Sequence, residues 1–211
     1  LTFDNTPADM NAENGLLFDV TDGARGPSDL TINVANGDFS DNPLANVVGS
    51  ADGAGSKASL NFANTTASNM AAAGGVVLDA TGGGIINTNW TLGSISNTGS
   101  NGVRATVDGP GSQIRLNLAG LTIQGNFGDG IDGTLTGGGA GSLLDVDLTS
   151  TTVSMNAGNG VDLSLTGAGA TSNVNMLDSL LVDNFGDGFE FDVLGGADLI
   201  AVASGAGSFS G

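Results

Sequence analysis

The chain has 211 residues, with 22 Asp and Glu against 4 Lys and Arg, no His and no Cys, and a formal net charge of −18. This balance excludes nucleic acid and an anionic membrane surface as partners, because phosphate binding needs basic side chains. It also removes imidazole bases, thiol nucleophiles, disulfides and most transition-metal sites. No apolar run approaches the roughly 20 residues of a membrane span, so no membrane insertion is expected. The chain begins with Leu and shows no signal-peptide pattern, which predicts a mature chain or a segment of something longer. Gly numbers 37 and charged residues make up 12%, yet the 39% hydrophobic content is regularly spaced, which argues for an ordered chain. The scarcity of Glu, Lys and Arg leaves no amphipathic helix pattern.

Apolar-x-apolar triplets recur along the chain. They read LTF at Leu1, LTI at Leu30, LNF at Leu60, WTL at Trp90, LNL at Leu116, VDL at Val146, VNM at Val174 and AVA at Ala201. Their spacings of 29, 30, 30, 26, 30, 28 and 27 residues define about seven coils of 26–30 residues, starting near 1, 30, 60, 90, 116, 146, 174 and 201. A period of this length fits a three-sided turn of short strands with variable corners.

A second signature falls inside each coil. It starts at Asn11, Asn42, Asn69, Asn97, Asn126, Asn156 and Asn184 and reads roughly N-x-G-x-G before alternating apolar residues. Gly and Asn accept positive φ and turn the corner, and the period-2 pattern that follows is a strand with one buried face. In register, the first inward residues are Leu16, Val48, Val76, Val103, Ile131, Val161 and Phe189. The next are Phe18, Ser50, Leu78, Ala105, Gly133, Leu163 and Phe191, followed by Val20, Asp52, Ala80, Val107, Leu135, Leu165 and Val193. A middle strand aligns Leu121 and Ile123 with Thr151 and Val153, then with Ser179 or Leu180 and Val182. Glycine-rich corners such as TGGGAGS (136–142) and TGAGATS (166–172) close the turns.

These features resemble the right-handed parallel β-helix repeat proteins, the superfamily that includes pectate-lyase-like folds. The Gly-, Asn-, Thr- and Asp-rich style with few Lys also looks like repeat segments of large secreted bacterial surface proteins. The expected architecture is therefore all-β: one right-handed parallel β-helical solenoid domain over residues 1–211, with three short strands per coil. The resemblance implies an extracellular or cell-surface location on a bacterium.

The outward position between the first two inward residues reads Leu17, Gly49, Val77, Arg104, Asp132, Asp162 and Glu190. Four successive coils thus present Arg104, Asp132, Asp162 and Glu190 in a line. Carboxylates about 5 Å apart repel, and call for a cation, raised pKa values or a substrate. Pectate-lyase-like enzymes work with carboxylates and an Arg on an exposed sheet, so the resemblance implies a catalytic reading of this line. The competing reading is a solvated acidic face: there is no Tyr and one Trp for sugar stacking. Candidate Ca²⁺ ligands are Asp129, Asp132, Asp183 and Asp187, because Asp-Gly loops supply carboxylates on tight turns. No other cofactor is expected. The column Asn11, Asn42, Asn97, Asn126, Asn156 and Asn184 predicts an axial ladder of amide hydrogen bonds.

No amphipathic cap flanks either end, and open coil ends template association. Residues Leu1, Phe3, Phe18, Phe189 and Phe191 are the candidates for an end-to-end joint. The partner is then a second copy stacked head-to-tail, or neighbouring repeats of a longer chain. The function expected is a structural module, a filament subunit or stalk or adhesin segment, with a polysaccharide-acting enzyme or glycan-binding β-helix as the alternative.

Overall fold

The computed structural model describes residues 1–4, 13–22, 26, 28–69, 74–137 and 139–209. Among these there is no helix, and the paired strands all run parallel. In chain order the first nine strands are β1 (Thr2–Asp4), β2 (Asn14–Thr21), β3 (Asp29–Ala35), β4 (Ala45–Asp52), β5 (Lys57–Ser68), β6 (Val76–Thr81), β7 (Ile85–Ser96), β8 (Val103–Asp108) and β9 (Gln113–Gln124). They continue as β10 (Ile131–Thr136), β11 (Ser142–Thr149), β12 (Thr152–Ser154), β13 (Val161–Thr166), β14 (Ala170–Leu177), β15 (Leu180–Val182), β16 (Phe189–Leu194), β17 (Asp198–Ser204) and β18 (Ser208–Phe209).

One sheet stacks β1-β3-β5-β7-β9-β11-β14-β17, with β12, β15 and β18 continuing it around a corner. The second stacks β2-β4-β6-β8-β10-β13-β16. Each strand pairs with the equivalent strand one coil away, so the chain is a parallel β-solenoid of about seven turns with roughly three strands per coil. The corner within the first sheet is a column of left-handed residues: Asn36, Asn64, Leu92, Gly120, Ser150, Asp178 and Gly205, with φ from 49° to 83°. In β5, β7 and β9 the strand passes through this bend; later coils break there into two strands.

The core is a set of axial columns. Ile32, Leu60, Thr88 and Leu116 follow one another in steps of 28 residues, then Val146, Val174 and Ala201. This register corrects two coil starts. Ile32 and Thr88, not Leu30 and Trp90, stand level with Leu60 and Leu116. Both errors are two residues and leave the inward face unchanged, since strand side chains alternate. Thr88 carries no apolar signal in the sequence, and it puts a hydroxyl without a protein partner into an apolar column. Trp90 is fully buried in the neighbouring column, its ring 4.6 Å from Phe62, and its Nε1 donates to the Thr65 carbonyl at 3.2 Å.

Two further register corrections follow. In β4 the inward residues are Val47, Gly49 and Ala51 rather than Val48, Ser50 and Asp52. The turn Asn42–Asn46 is as long as Asn126–Gly130, so the strand begins one residue earlier than the adjacent Val pair suggested. Asp52 then faces outward, where Thr81 Oγ1 donates to it at 2.7 Å. In β15 it is Leu181, not Val182, that pairs with Val153, and Ser179 takes the place below Thr151.

Gly49 shows why the register is tight. Phe18 is 7% exposed, and its ring occupies the space where a Cβ on Gly49 would stand. A large residue in one coil thus needs a small one in the next. Substituting Gly49→Ser is expected to lower stability by about 1–3 kcal/mol, the range for overpacked cores, whereas Val48→Thr on the outward face stays within about 0.5 kcal/mol. Urea unfolding of the two variants checks this; equal effects would place Gly49 outside the core.

Candidate functional site

The site is built at the corner that precedes the second sheet. Asp41, Asn69, Asn97, Gly125, Met155 and Asp183 form a left-handed column there, with φ between 54° and 65°. After Asp41, Asn97, Gly125, Met155 and Asp183 the next residue turns inward: Asn42, Thr98, Asn126, Asn156 and Asn184 are buried. Asn126 Nδ2 donates to Asn156 Oδ1 at 2.8 Å, and Asn156 Nδ2 donates to Asn184 Oδ1 at 2.9 Å. The same oxygens accept from the backbone N–H of Asn126 and Asn156.

The buried ladder therefore runs through Asn126, Asn156 and Asn184 but not through Asn97. Thr98 stands in that place, and its N–H and hydroxyl both bond Asn126 Oδ1. The reason is spacing: Thr98 to Gly102 has the same length as Asn126 to Gly130, and Asn97 is one residue too early. Asn42 is buried in the corresponding turn and donates to the carbonyls of Phe39 and Ser40. Asn11 lies outside the described residues.

Three residues after the buried ladder runs a second one. Asn101 Oδ1 accepts from the Asp129 N–H at 2.9 Å, Asp129 Oδ1 from the Asn159 N–H at 2.6 Å, and Asn159 Oδ1 from the Asp187 N–H at 2.7 Å. The amides of this ladder also reach the outward column of the second sheet. Asn101 Nδ2 donates to Asp132 Oδ2 at 2.6 Å, and Asn159 Nδ2 donates to Glu190 Oε2 at 2.5 Å and to Asp162 Oδ2 at 3.5 Å. The outward column itself reads Leu17, Val48, Val77, Arg104, Asp132, Asp162 and Glu190 by backbone register, with Val48 replacing the expected Gly49.

Arg104, Asp132, Asp162 and Glu190 do stand side by side on consecutive strands. Burial pushes the Asp132 carboxyl above its ordinary range, helped by Asp129; Arg104 and the Asn101 amide act against this. Burial likewise raises Asp162, helped by Asp129, Glu190 and Asp132 and opposed by the Asn159 amide. Among the described residues the ion pair within 4.0 Å is Arg115 Nε to Asp145 Oδ2, at 3.9 Å on the other sheet.

The four candidate calcium ligands divide. Asp129 spends its carboxylate on a backbone N–H, Asp132 is held by Asn101, and Asp183 is an exposed left-handed turn residue. Asp187 is exposed at the last rung. Among the described residues no group of three or more carboxylates is arranged to hold a metal ion.

Three features lay outside the sequence reading. An outer amide ladder runs on the first sheet: Asn61 donates to Asn33, Asn89 to Asn61 and Asn117 to Asn89, each at 2.8–2.9 Å, and Asn175 donates to Asp147 at 2.6 Å. Its signal was the middle residue of the LNF, LNL and VNM triplets. An open depression of about 420 Å³ lies beside the apolar half of the outward column, bounded by Asn14, Leu44, Val48, Val77, Asn101 and Arg104. Finally, Phe127 and Phe185 are 77% and 87% exposed.

Compared with known proteins, the chain matches no family model, no curated protein and no solved structure.

The raised carboxyls set a direction for pH. In the unfolded chain Asp132 and Asp162 titrate near 3.8, and in the fold they titrate higher. Protonation therefore favours the fold: their contribution is fully present below about 3.8 and is lost as pH rises through the folded values. The melting temperature is expected to rise on acidification from pH 7 towards 4.5. The double variant Asp132→Asn, Asp162→Asn is expected to be more stable than the parent at pH 7, with a shallower pH dependence. Asp145, raised mainly by burial, retains part of the slope.

Proposed function

We propose that the chain is an extracellular structural module, a filament subunit or stalk or adhesin segment whose coils associate head-to-tail. One observation carries this reading. Strands β16 and β17 are last in their sheets, and their inward columns are uncovered: Phe191 is 53% exposed, and Ala201 and Ala203 are exposed too. At the other end β1 is the edge strand, with Leu1 exposed and Phe3 partly buried.

A joint between copies repeats the step used between coils. Continuing the register sets Leu1 over Ala201 and Phe3 over Ala203, a large residue on a small one, as Phe18 sits on Gly49. Phe189 and Phe191, whose rings lie 5.6 Å apart, offer the apolar surface on the second sheet. Phe18 belongs to the same inward column as Phe191 and packs over Gly49 in its own coil stack, 7% exposed. Such a contact is heterologous and does not close, so it extends into filaments.

Electron microscopy and sedimentation of the purified chain, with and without calcium, test this. Rods that lengthen with concentration are expected, and Phe191→Lys with Ala203→Lys is expected to leave monomers. A parent that stays monomeric at every concentration and calcium level removes the reading.

A second reading draws on Asp132 and Asp162, adjacent carboxyls that are both raised, with Arg104 beside them. It is the pectate-lyase-like alternative, a lyase, hydrolase or glycan-binding face acting on polysaccharide. Incubation with acidic and neutral polysaccharides is expected, on this reading, to release new chain ends, and Asp132→Asn, Asp162→Asn or Glu190→Gln to abolish the release. A parent that releases none and binds none leaves the structural reading alone.

A further inference from the structure

Coils five to seven carry the buried asparagine ladder. The residue after each buried ladder position is Phe127, Ala157 and Phe185 there. These three form one column, because the Ala157 N–H donates to the Asn126 carbonyl and the Phe185 N–H to the Asn156 carbonyl, at 2.8 and 2.9 Å. The two Phe residues are thus two coils apart, roughly 10 Å at the usual strand spacing, with an alanine between them. They are 77% and 87% exposed.

Met155 stands at the same corner in the intervening coil, 54% exposed and at φ 54°. Elsewhere that left-handed position holds Asp41, Asn69, Asn97, Gly125 and Asp183, residues that tolerate it. A Met there carries backbone strain that burial does not repay. Three exposed apolar side chains thus stand on successive coils of one corner, Met155 two residues before the column that holds the two Phe residues. Exposed apolar groups placed together mark interaction surfaces.

The surroundings select the partner. The same three coils carry Asp132, Asp162 and Glu190 on the adjoining sheet, and Asp129 and Asp187 follow the two Phe residues by two positions. In the first three coils the outward column is Leu17, Val48 and Val77 instead. Aromatic faces flanked by carboxylates fit a cation with a flat apolar face, which is the guanidinium group. A second copy of this chain is a poor occupant, because it brings 22 acidic residues against 4 basic ones.

We infer that the corner formed by Phe127, Met155 and Phe185 is a docking ridge for an arginine-bearing segment of another protein. The Phe rings stack on guanidinium groups, and the neighbouring carboxylates supply the field that attracts them. The ridge lies along the side of the solenoid and not at its end strands, so it works whether or not copies stack.

Fluorescence anisotropy of the full chain with fluorescein-labelled nona-arginine tests this, with a neutral Gly–Ser peptide of equal length as control. Binding of nona-arginine alone is expected. Phe127→Ser with Phe185→Ser is expected to weaken it roughly tenfold. That pair leaves the net charge and the circular dichroism unchanged, since both side chains are exposed. The single variants, each expected to lose roughly threefold, serve if the double variant misfolds. Unchanged affinity in the Phe variants would show adsorption by charge alone and overturn the proposal. Equal binding of the neutral peptide, or no binding of nona-arginine, would overturn it as well.

Discussion

Everything in this molecule depends on the requirement that each coil end where the next can hydrogen-bond to it. The backbone N–H and C=O groups of one coil are satisfied by the coils on either side, so a corner that runs long or short strands a row of buried polar groups. Buried asparagine amides enforce the match. Asn156 Oδ1 accepts from both the backbone and the side chain of Asn126, while its own amide reaches Asn184. Leaving one such group unpaired costs about 1–3 kcal/mol, comparable to losing a large apolar contact. With the corner fixed, parity does the rest: Ile131 goes in, Asp132 goes out, and each coil repeats the pattern.

The same constraint explains what could be read without coordinates. Alternation in the second-sheet strands marked the inward columns correctly from β6 onward, because N-x-G-x-G ends at a fixed distance before them. It failed in β4, where two adjacent valines made either parity plausible. It also put Asn97 in the buried ladder, since a hydroxyl at Thr98 does not look like an amide even though it fills the same position and bonds the same oxygen. The glycine-rich corner Thr136–Leu143 is two residues longer than Asp108–Gln113, and such insertions shift a triplet count without disturbing the sheets. The acidic line Asp132, Asp162, Glu190 was legible because those coils share one turn length. That each carboxylate is held by an asparagine from the neighbouring ladder was not, because those bonds join residues 3 to 31 apart. Phe127 and Phe185 occupy the variable x of a turn signature, a position where the repeat pattern carries no signal.

The outward column divides the rod lengthwise into two chemical territories. Leu17, Val48 and Val77 line one end beside the open depression, and Arg104 stands at the boundary before the carboxylates begin. The turn ladder tempers the acidic end: Asn101, Asp129, Asn159 and Asp187 alternate amide and carboxylate, so two acids in that column are separated by two coils. That separation, roughly 10 Å, exceeds the Debye length of about 8 Å at physiological salt.

Hydrogen bonds that run along the rod axis also decide how it behaves under tension. A pull applied between β1 and β17 acts parallel to those bonds and opens them one after another from an end, as in unzipping, instead of shearing a whole sheet together. Each coil that yields frees about 28 residues, a length of roughly 90 Å of extended chain, for a loss of about 5 Å of folded rod. A short stack of such coils is thus a reserve of slack, paid out one turn at a time.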